Sequence, residues 1–226
     1  MSARVTIRVV LADDEAMIRA GLRMLVDAQD DMEVVGEAAD GDAAVATVAR
    51  THPDVVLLDI RMPRRDGLSA ARELLAAASP PRIVVLTTFD EDAHVAEALR
   101  LGVSGFLLKV APPHQLLDAI RTVAAGEGLL DPAVTLRVIR SFAEVPTPDA
   151  TKADALAALT ARETDVLGLV ARALSNAEIA ARLHLGEATV KTHLGRVLMK
   201  LGLRDRVQAV AFAYESGLVR AGADRG

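Results

Sequence analysis

The feature that most restricts how this 226-residue chain can fold is a series of short apolar runs, the sharpest of which ends on a carboxylate. In DVVLLD, residues 54–59, Val55, Val56, Leu57 and Leu58 run without interruption into Asp59. A strand with one face in water alternates apolar and polar residues. An unbroken run suits a strand covered on both faces, as in a parallel sheet between layers of helix. Further strand candidates are VTIRVVLA (5–12), MEVVGEA (32–38), RIVVLTT (82–88) and SGFLLK (104–109). Between and after them lie the amphipathic stretches EAMIRAGLRMLVDAQ, GDAAVATVART, GLSAARELLAAA, EDAHVAEALRLG and PHQLLDAIRTVAAG. Five strands alternating with five helices predict right-handed βαβ units and an α/β fold with a doubly wound five-stranded parallel sheet. Asp13, Asp14, Asp59, Thr87 and Lys109 then all fall at C-terminal strand ends, where such sheets place ligands.

This pattern fills residues 1–128. Residues 129–155 are expected to hold one helix, DPAVTLRVIRSF, and then a linker, because AEVPTPDATKADA carries two prolines and little periodicity. Residues 156–226 are all helical by pattern and form a second, smaller domain. Thr160 with Glu163 and Ser175 with Glu178 have capping-box spacing, and Asp205 with Gln208 suggests a third cap. A break at 184–186 separates a short helix from a long one, roughly 187–201. Along the long helix Val190, Leu194, Val197, Leu198 and Leu201 form one apolar stripe.

The net charge of −5 is divided unevenly. Residues 156–226 hold ten Lys+Arg against seven Asp+Glu, a balance of +3, and the rest of the chain carries −8. Only the C-terminal part is therefore suited to nucleic acid. There is no cysteine, which excludes disulfides and thiolate metal sites and fits a reducing compartment. No secretory signal and no bilayer-length apolar run is present, so the reading is a cytoplasmic chain with no membrane partner. The five histidines, His52, His94, His114, His184 and His193, show no metal-ligand spacing.

Taken singly, Asp59 reads as a turn cap, Asp13 and Asp14 as solvated turn residues, Thr87 as a β-former and Lys109 as an exposed strand end. Their convergence needs another reason, since carboxylates gathered at one sheet edge repel one another. A hard divalent cation such as Mg²⁺ supplies one: it takes oxygen ligands and leaves positions open for phosphate. An aspartate also serves as a nucleophile toward phosphorus, with Lys109 and the Thr87 hydroxyl meeting phosphoryl oxygens. Asp59 is open to both roles. A phosphatase working through an aspartyl phosphate is disfavoured, because the Asp-x-Asp pattern of haloacid dehalogenase-type hydrolases would need an acid where Arg61 stands. The chain is therefore not read as an enzyme.

Residues 7–126 resemble the receiver domain of two-component response regulators, a flavodoxin-like fold. The likeness rests on "ADDE" with Asp13 and Asp14, "LLDIRMPRRDGL" with Asp59, "VVLTTFDED" with Thr87, and "GFLLK" with Phe106 and Lys109. It implies that Asp59 is the phosphoacceptor, served by a sensor histidine kinase. It also implies that Asp14, Asp59 and the backbone carbonyl of Arg61 ligate Mg²⁺, with Asp13 acting through water, and that Thr87 and Phe106 form a switch pair. Arg64-Arg65 stands where relatives often have Gly-Met, and Val110 where they have an acid.

Residues 159–210 resemble the LuxR-type helix-turn-helix of the NarL/FixJ response regulators through "LTARETDVL", "LSNAEIAARL" and "ATVKTHLGRVLMKLGLRDR". On spacing alone, a DNA reader and a plain helical bundle are equally good descriptions. The resemblance implies binding of double-stranded DNA, with Lys191 and Thr192 at the groove, Arg196 and Lys200 at phosphates, and a homodimer formed through the last helix, 205–216. Gly186 replaces the usual serine N-cap, and Gly195 leaves one base reader fewer.

Overall fold

The computed structural model describes residues 6–87, 92–126, 129–130, 150–172 and 174–219. The chain divides into two compact units, 1–131 and 132–226. The expected helix at 131–142 and most of the expected linker lie outside the described residues.

In the first unit β1 (Ile7–Ala12), β2 (Met32–Ala38), β3 (Val55–Asp59), β4 (Arg82–Thr87) and β5 (Gly105–Leu108) alternate with α1 (Ala16–Asp27), α2 (Gly41–Thr51), α3 (Gly67–Leu75), α4 (Asp92–Leu101) and α5 (Pro113–Ala124). All pairings are parallel, in the order β2-β1-β3-β4-β5. A sixth strand, β6 (Leu129–Leu130), extends the edge beside β5. These two residues fall in the segment expected to follow the sheet, because a two-residue strand leaves no periodicity to detect.

The strand interiors are apolar because both faces are covered. Val9, Leu11, Val55, Leu57, Val84, Leu86 and Leu107 form one buried layer with Leu116, Ile120 and Val123 of α5 and Val26 of α1. The alternate residues Val10, Val56, Leu58, Ile83, Val85 and Phe106 are also buried, as are Leu68, Ala71 and Leu74 of α3. The chain moves outward from β1 in both directions, to β2 on one side and to β3 on the other. The C-terminal ends of β1 and β3 thus border the crevice at this reversal of strand order.

The turn after β3 is tightly closed. Gly67 N–H bonds to the Ile60 carbonyl at 2.8 Å, and Asp66 caps α3 through Ser69 N–H at 2.8 Å. A Cβ added to Gly67 would stand 2.0 Å from the Asp59 carbonyl oxygen.

The second unit is helical. A short helix α6 (Ala150–Ala155) leads into a 3₁₀ turn (Leu156–Ala158), then α7 (Ala161–Ala171), α8 (Asn176–Leu183), α9 (Glu187–Leu201) and α10 (Arg206–Glu215). Helix α6 lies inside the segment expected to be linker. Its sequence, ATKADA, has three alanines and a lysine, which are good helix formers, and Lys152 is paired with Glu215 of α10.

Gly67→Ala is expected to lower the unfolding free energy of the first unit by about 1–3 kcal/mol, because the backbone of β3 and α3 must separate to admit the methyl group. Urea denaturation followed by a signal from the first unit tests this, and wild-type stability would contradict it.

Candidate functional site

Four strand ends bring polar side chains to the C-terminal edge of the sheet. Asp13 and Asp14 follow β1, Asp59 ends β3, Thr87 ends β4 and Lys109 follows β5. Lys109 N–H bonds to the Thr87 carbonyl at 2.9 Å, which continues the β4–β5 ladder and fixes the root of its side chain. The ammonium group then reaches Asp59 Oδ2 at 2.9 Å and Asp13 Oδ2 at 2.8 Å, with Glu15 Oε1 at 3.6 Å. Asp13, Asp59 and Lys109 are nearly withdrawn from water, with side chains 1%, 6% and 10% exposed. Asp14 is exposed.

The electrostatics follow from burial. Desolvation pushes the Asp59 carboxyl above its ordinary range; the hydrogen bond and charge of Lys109 oppose this, the charge on Asp13 adds to it, and a backbone bond from Arg61 opposes it. For Lys109 desolvation favours the neutral amine, but its close contacts with Asp13 and Asp59 outweigh it and raise the pKa.

One lysine does not satisfy the cluster. Asp13, Asp14 and Asp59 each offer a carboxylate oxygen within 4.8 Å of the others. The Lys109 contact to Asp13 Oδ2 is an ion pair off the hydrogen-bonding direction, so this buried oxygen accepts no hydrogen bond among the described residues. Three oxygen donors at this spacing, one of them buried and accepting no hydrogen bond, fit a hard divalent cation. An open pocket beside them is lined by Asp14, Ile60, Arg61, Met62, Pro63, Asp66 and Leu68.

Thr87 and Phe106 are both wholly buried. The register pairs Val85 with Phe106 and Thr87 with Leu108, so Thr87 and Phe106 are diagonal neighbours on one face of the sheet. The sequence reading missed two contributors. Arg19 of α1 donates to the Asp13 carbonyl at 2.6 Å, and Gly67 permits the tight turn behind Asp59. The glycine was visible in "RRDGL", but only three-dimensional proximity shows what it is for.

In the second unit both expected capping boxes are closed reciprocally, Thr160 with Glu163 and Ser175 with Glu178. The third site differs: Asp205 caps Val207 and Gln208 N–H, while the Gln208 side chain accepts from Arg204 N–H at 2.7 Å. Helix α8 ends at His184 with φ +55°, and α9 starts at Gly186, which supplies no side-chain cap. Val190, Leu194 and Val197 are buried. Lys191, Thr192, Gly195, Arg196 and Met199 are exposed. The Thr192 hydroxyl donates to the Ala188 carbonyl at 2.9 Å, which leaves its methyl and lone pairs to face outward.

Lys200 departs from the expectation of a phosphate contact. Its ammonium lies 2.7 Å from Glu163 Oε2 and 3.2 Å from the Ala158 carbonyl, and so ties the end of α9 to the start of α7. The Glu163 carboxyl is held at about 2, chiefly by the hydrogen bond from Lys200 and then by Thr160 N–H. The His193 ring is half-buried, with its Nδ1 unpaired among the described residues, which favours helix packing over a phosphate contact.

Comparison with known proteins gives two adjoining matches. Residues 9–121 match the response regulator receiver domain, and residues 157–213 match the bacterial regulatory proteins of the luxR family. The transcriptional regulatory protein YxjL of Bacillus subtilis is 43% identical, over 95% of this chain and 98% of its own. The oxygen regulatory protein NreC of Staphylococcus carnosus is 36% identical, over 94% of this chain and 99% of its own. The crystal structure of ChrA, a response regulator of a heme-sensing two-component system, aligns with TM-score 0.52 and 39% identity, covering 95% of this chain and 99% of its own. No helix among the described residues is long and apolar enough to cross a membrane.

A carboxyl whose folded pKa is depressed contributes stability that is complete above its unfolded value and is lost as pH falls through its folded value. For Glu163 that window runs from the ordinary 4.5 down to about 2. The stability gap between wild type and Glu163→Gln should therefore be full above the upper limit and close toward the lower. Urea melts across this range check it; a gap independent of pH would contradict the ion pair.

Proposed function

Since this chain belongs to the NarL/FixJ response regulators, DNA-binding proteins of two-component systems that join a receiver to a LuxR-type domain, we propose that phosphorylation of Asp59 by a sensor histidine kinase controls its action on transcription. The observation that carries this reading is the buried Lys109 ammonium shared by Asp13 and Asp59 at adjoining strand ends.

In the reaction, an Asp59 carboxylate oxygen attacks phosphorus and the P–N bond to the kinase imidazole breaks. The imidazole keeps the electron pair, and Asp59 becomes an acyl phosphate. Asp13, Asp14, Asp59 and the Arg61 carbonyl would hold Mg²⁺. When bound, the ion offsets charge on carboxylate and phosphate and orients phosphoryl oxygens. Lys109, already aimed at Asp59 Oδ2, meets a phosphoryl oxygen and remains close enough to Asp13 to keep it paired. The new group adds roughly −1.5 to −2 charge and three acceptors. The Thr87 hydroxyl answers it, and Phe106 lies diagonally behind Thr87 on the same face, so the pair transmits the change toward α4.

The response is read by α9. Lys191 and Thr192 enter the major groove and Arg196 meets phosphates. Lys200 braces the helix through Glu163. The phosphorylated protein acts as a homodimer in the cytoplasm, with α10 contributing to pairing on the DNA.

A small phosphodonor such as acetyl phosphate should label wild type and fail to label Asp59→Asn; persistent labelling of the variant would move the phosphoacceptor elsewhere. With Mg²⁺ and beryllofluoride, sedimentation should shift wild type from monomer to dimer and leave Asp59→Asn unchanged. On a nonspecific duplex, Lys191→Ala should reduce the slope of log K against log salt by about 1, whereas an unchanged slope would remove Lys191 from the interface.

A further inference from the structure

The receiver pocket has a wall that the reading above does not explain. It is the loop from Arg61 to Asp66, between the phosphoacceptor and α3. Two features of this loop are unusual. Arg64 has φ +64°, a left-handed backbone that glycine adopts freely and arginine does not. Over it, Arg65 N–H bonds to the Pro63 carbonyl at 2.8 Å, closing a three-residue turn in its strained, positive-φ form. Such a conformation persists where the surroundings over-determine it.

The surroundings here are the start of α2 and one face of α3. The Arg64 guanidinium is paired with Asp40, whose side chain is 4% exposed and whose other oxygen caps α2 through Ala43 N–H at 2.8 Å. The Arg65 carbonyl accepts from Gly41 N–H at 3.0 Å. Gly41 is required there, since an added Cβ would lie 2.7 Å from that carbonyl. The Arg65 guanidinium donates to the Ser69 carbonyl at 2.8 Å, pairs with Glu73 at 2.7 Å and reaches Asp42 at 3.6 Å. The loop is thus held at its base by Gly67, at its middle by Gly41 and at its apex by Asp40. Both Arg64 and Arg65 are thus paired with carboxylates, and neither is a freely solvated charge.

We propose that Arg64 and Arg65 are positioning residues, which staple the phosphoacceptor loop to α2 and α3 and preset the Arg61 carbonyl for the divalent cation. This rests on the reading of the pocket as a Mg²⁺ site. Neither arginine touches the ion. They act as outer partners that fix a ligand before it binds, so that the cation does not have to order the loop. A glycine at 64 would remove the backbone strain and with it the anchor. The chain keeps the strained residue because its guanidinium closes over a buried carboxylate.

The test uses the full-length chain and separates cation affinity from folding. Mg²⁺ binding is measured by titration calorimetry without phosphodonor, and acetyl phosphate labelling is followed as Mg²⁺ is raised. Arg64→Ala and Asp40→Asn are each expected to weaken Mg²⁺ binding about tenfold, the lower end of what outer-shell changes cost. Asn keeps the helix cap and removes only the charge. The labelling rate at saturating Mg²⁺ should return to the wild-type value, and Arg64→Lys should recover most of the affinity. Arg64→Gly relieves strain while losing the ion pair, and should resemble Arg64→Ala in Mg²⁺ affinity despite higher stability. Wild-type Mg²⁺ affinity in Arg64→Ala and Asp40→Asn would overturn the staple alone. Loss that follows the thermal midpoint, with no recovery at high Mg²⁺, would reduce the arginines to a stabilising role and also overturn it. A wild-type chain that binds no Mg²⁺ would overturn both the staple and the reading on which it rests.

Discussion

The structure depends on an electrostatic conflict at the end of the sheet. Three carboxylates, Asp13, Asp14 and Asp59, lie within 4.8 Å of one another, and two of them, Asp13 and Asp59, share one lysine. At an effective dielectric near 20, two like charges at that separation repel by about 3 kcal/mol. One ammonium leaves the group formally at −2, and burial of Asp13 and Asp59 removes water as the remaining source of screening. A fold under selection for stability alone would replace such residues. They persist because β1, β3 and β5 are too apolar to unfold locally and deliver their C-terminal ends to one place whatever stands there. The scaffold holds the charges together, and their unfavourable proximity suits the site to a divalent cation.

Much of this was legible in the sequence because parallel strands are written as continuous apolar runs. The five runs, once aligned as strands, put Asp13, Asp14, Asp59, Thr87 and Lys109 at one edge without knowledge of any contact. Both capping boxes were legible for a related reason: their partners are three residues apart, so geometry within one helix turn decides them. The features that escaped depend on distance in sequence or on extreme brevity. Arg64 and Asp40 are 24 positions apart on different βα connections, and nothing local marks either as the other's partner. Lys200 lay on the flank of an amphipathic helix, where solvent, DNA phosphate and Glu163 are equally compatible with its spacing; only the packing of α9 against α7 selects the last. Strand β6 is too short to carry a period, and α6 was hidden behind the prolines of an apparent linker.

The two units solve different physical problems. In the first, charged side chains converge on an incomplete site whose carboxylates invite a further ligand. In the second, charges are spent internally. Glu163 takes Lys200, Glu178 caps with Ser175, and Arg206 reaches the Leu174 carbonyl and Asn176. Among the residues exposed along α9 are Lys191, Thr192, Gly195, Arg196 and Met199, of which only two carry charge.

That difference bears on how a signal can pass between them. Helix α9 has its own N-terminal turn at Gly186, its own left-handed stop at Gly202 with φ +65°, a buried apolar stripe and an ion pair to α7. Every one of these supports comes from within the second unit. On the proposed reading, phosphorylation therefore has no recognition helix to fold, and a charge added at Asp59 would act through the presentation of that finished surface or the number of copies held together. With +3 on residues 156–226, pairing of two copies as proposed would double the phosphate and groove contacts made at once, and the gain in affinity would come from effective concentration, with no change in α9 itself.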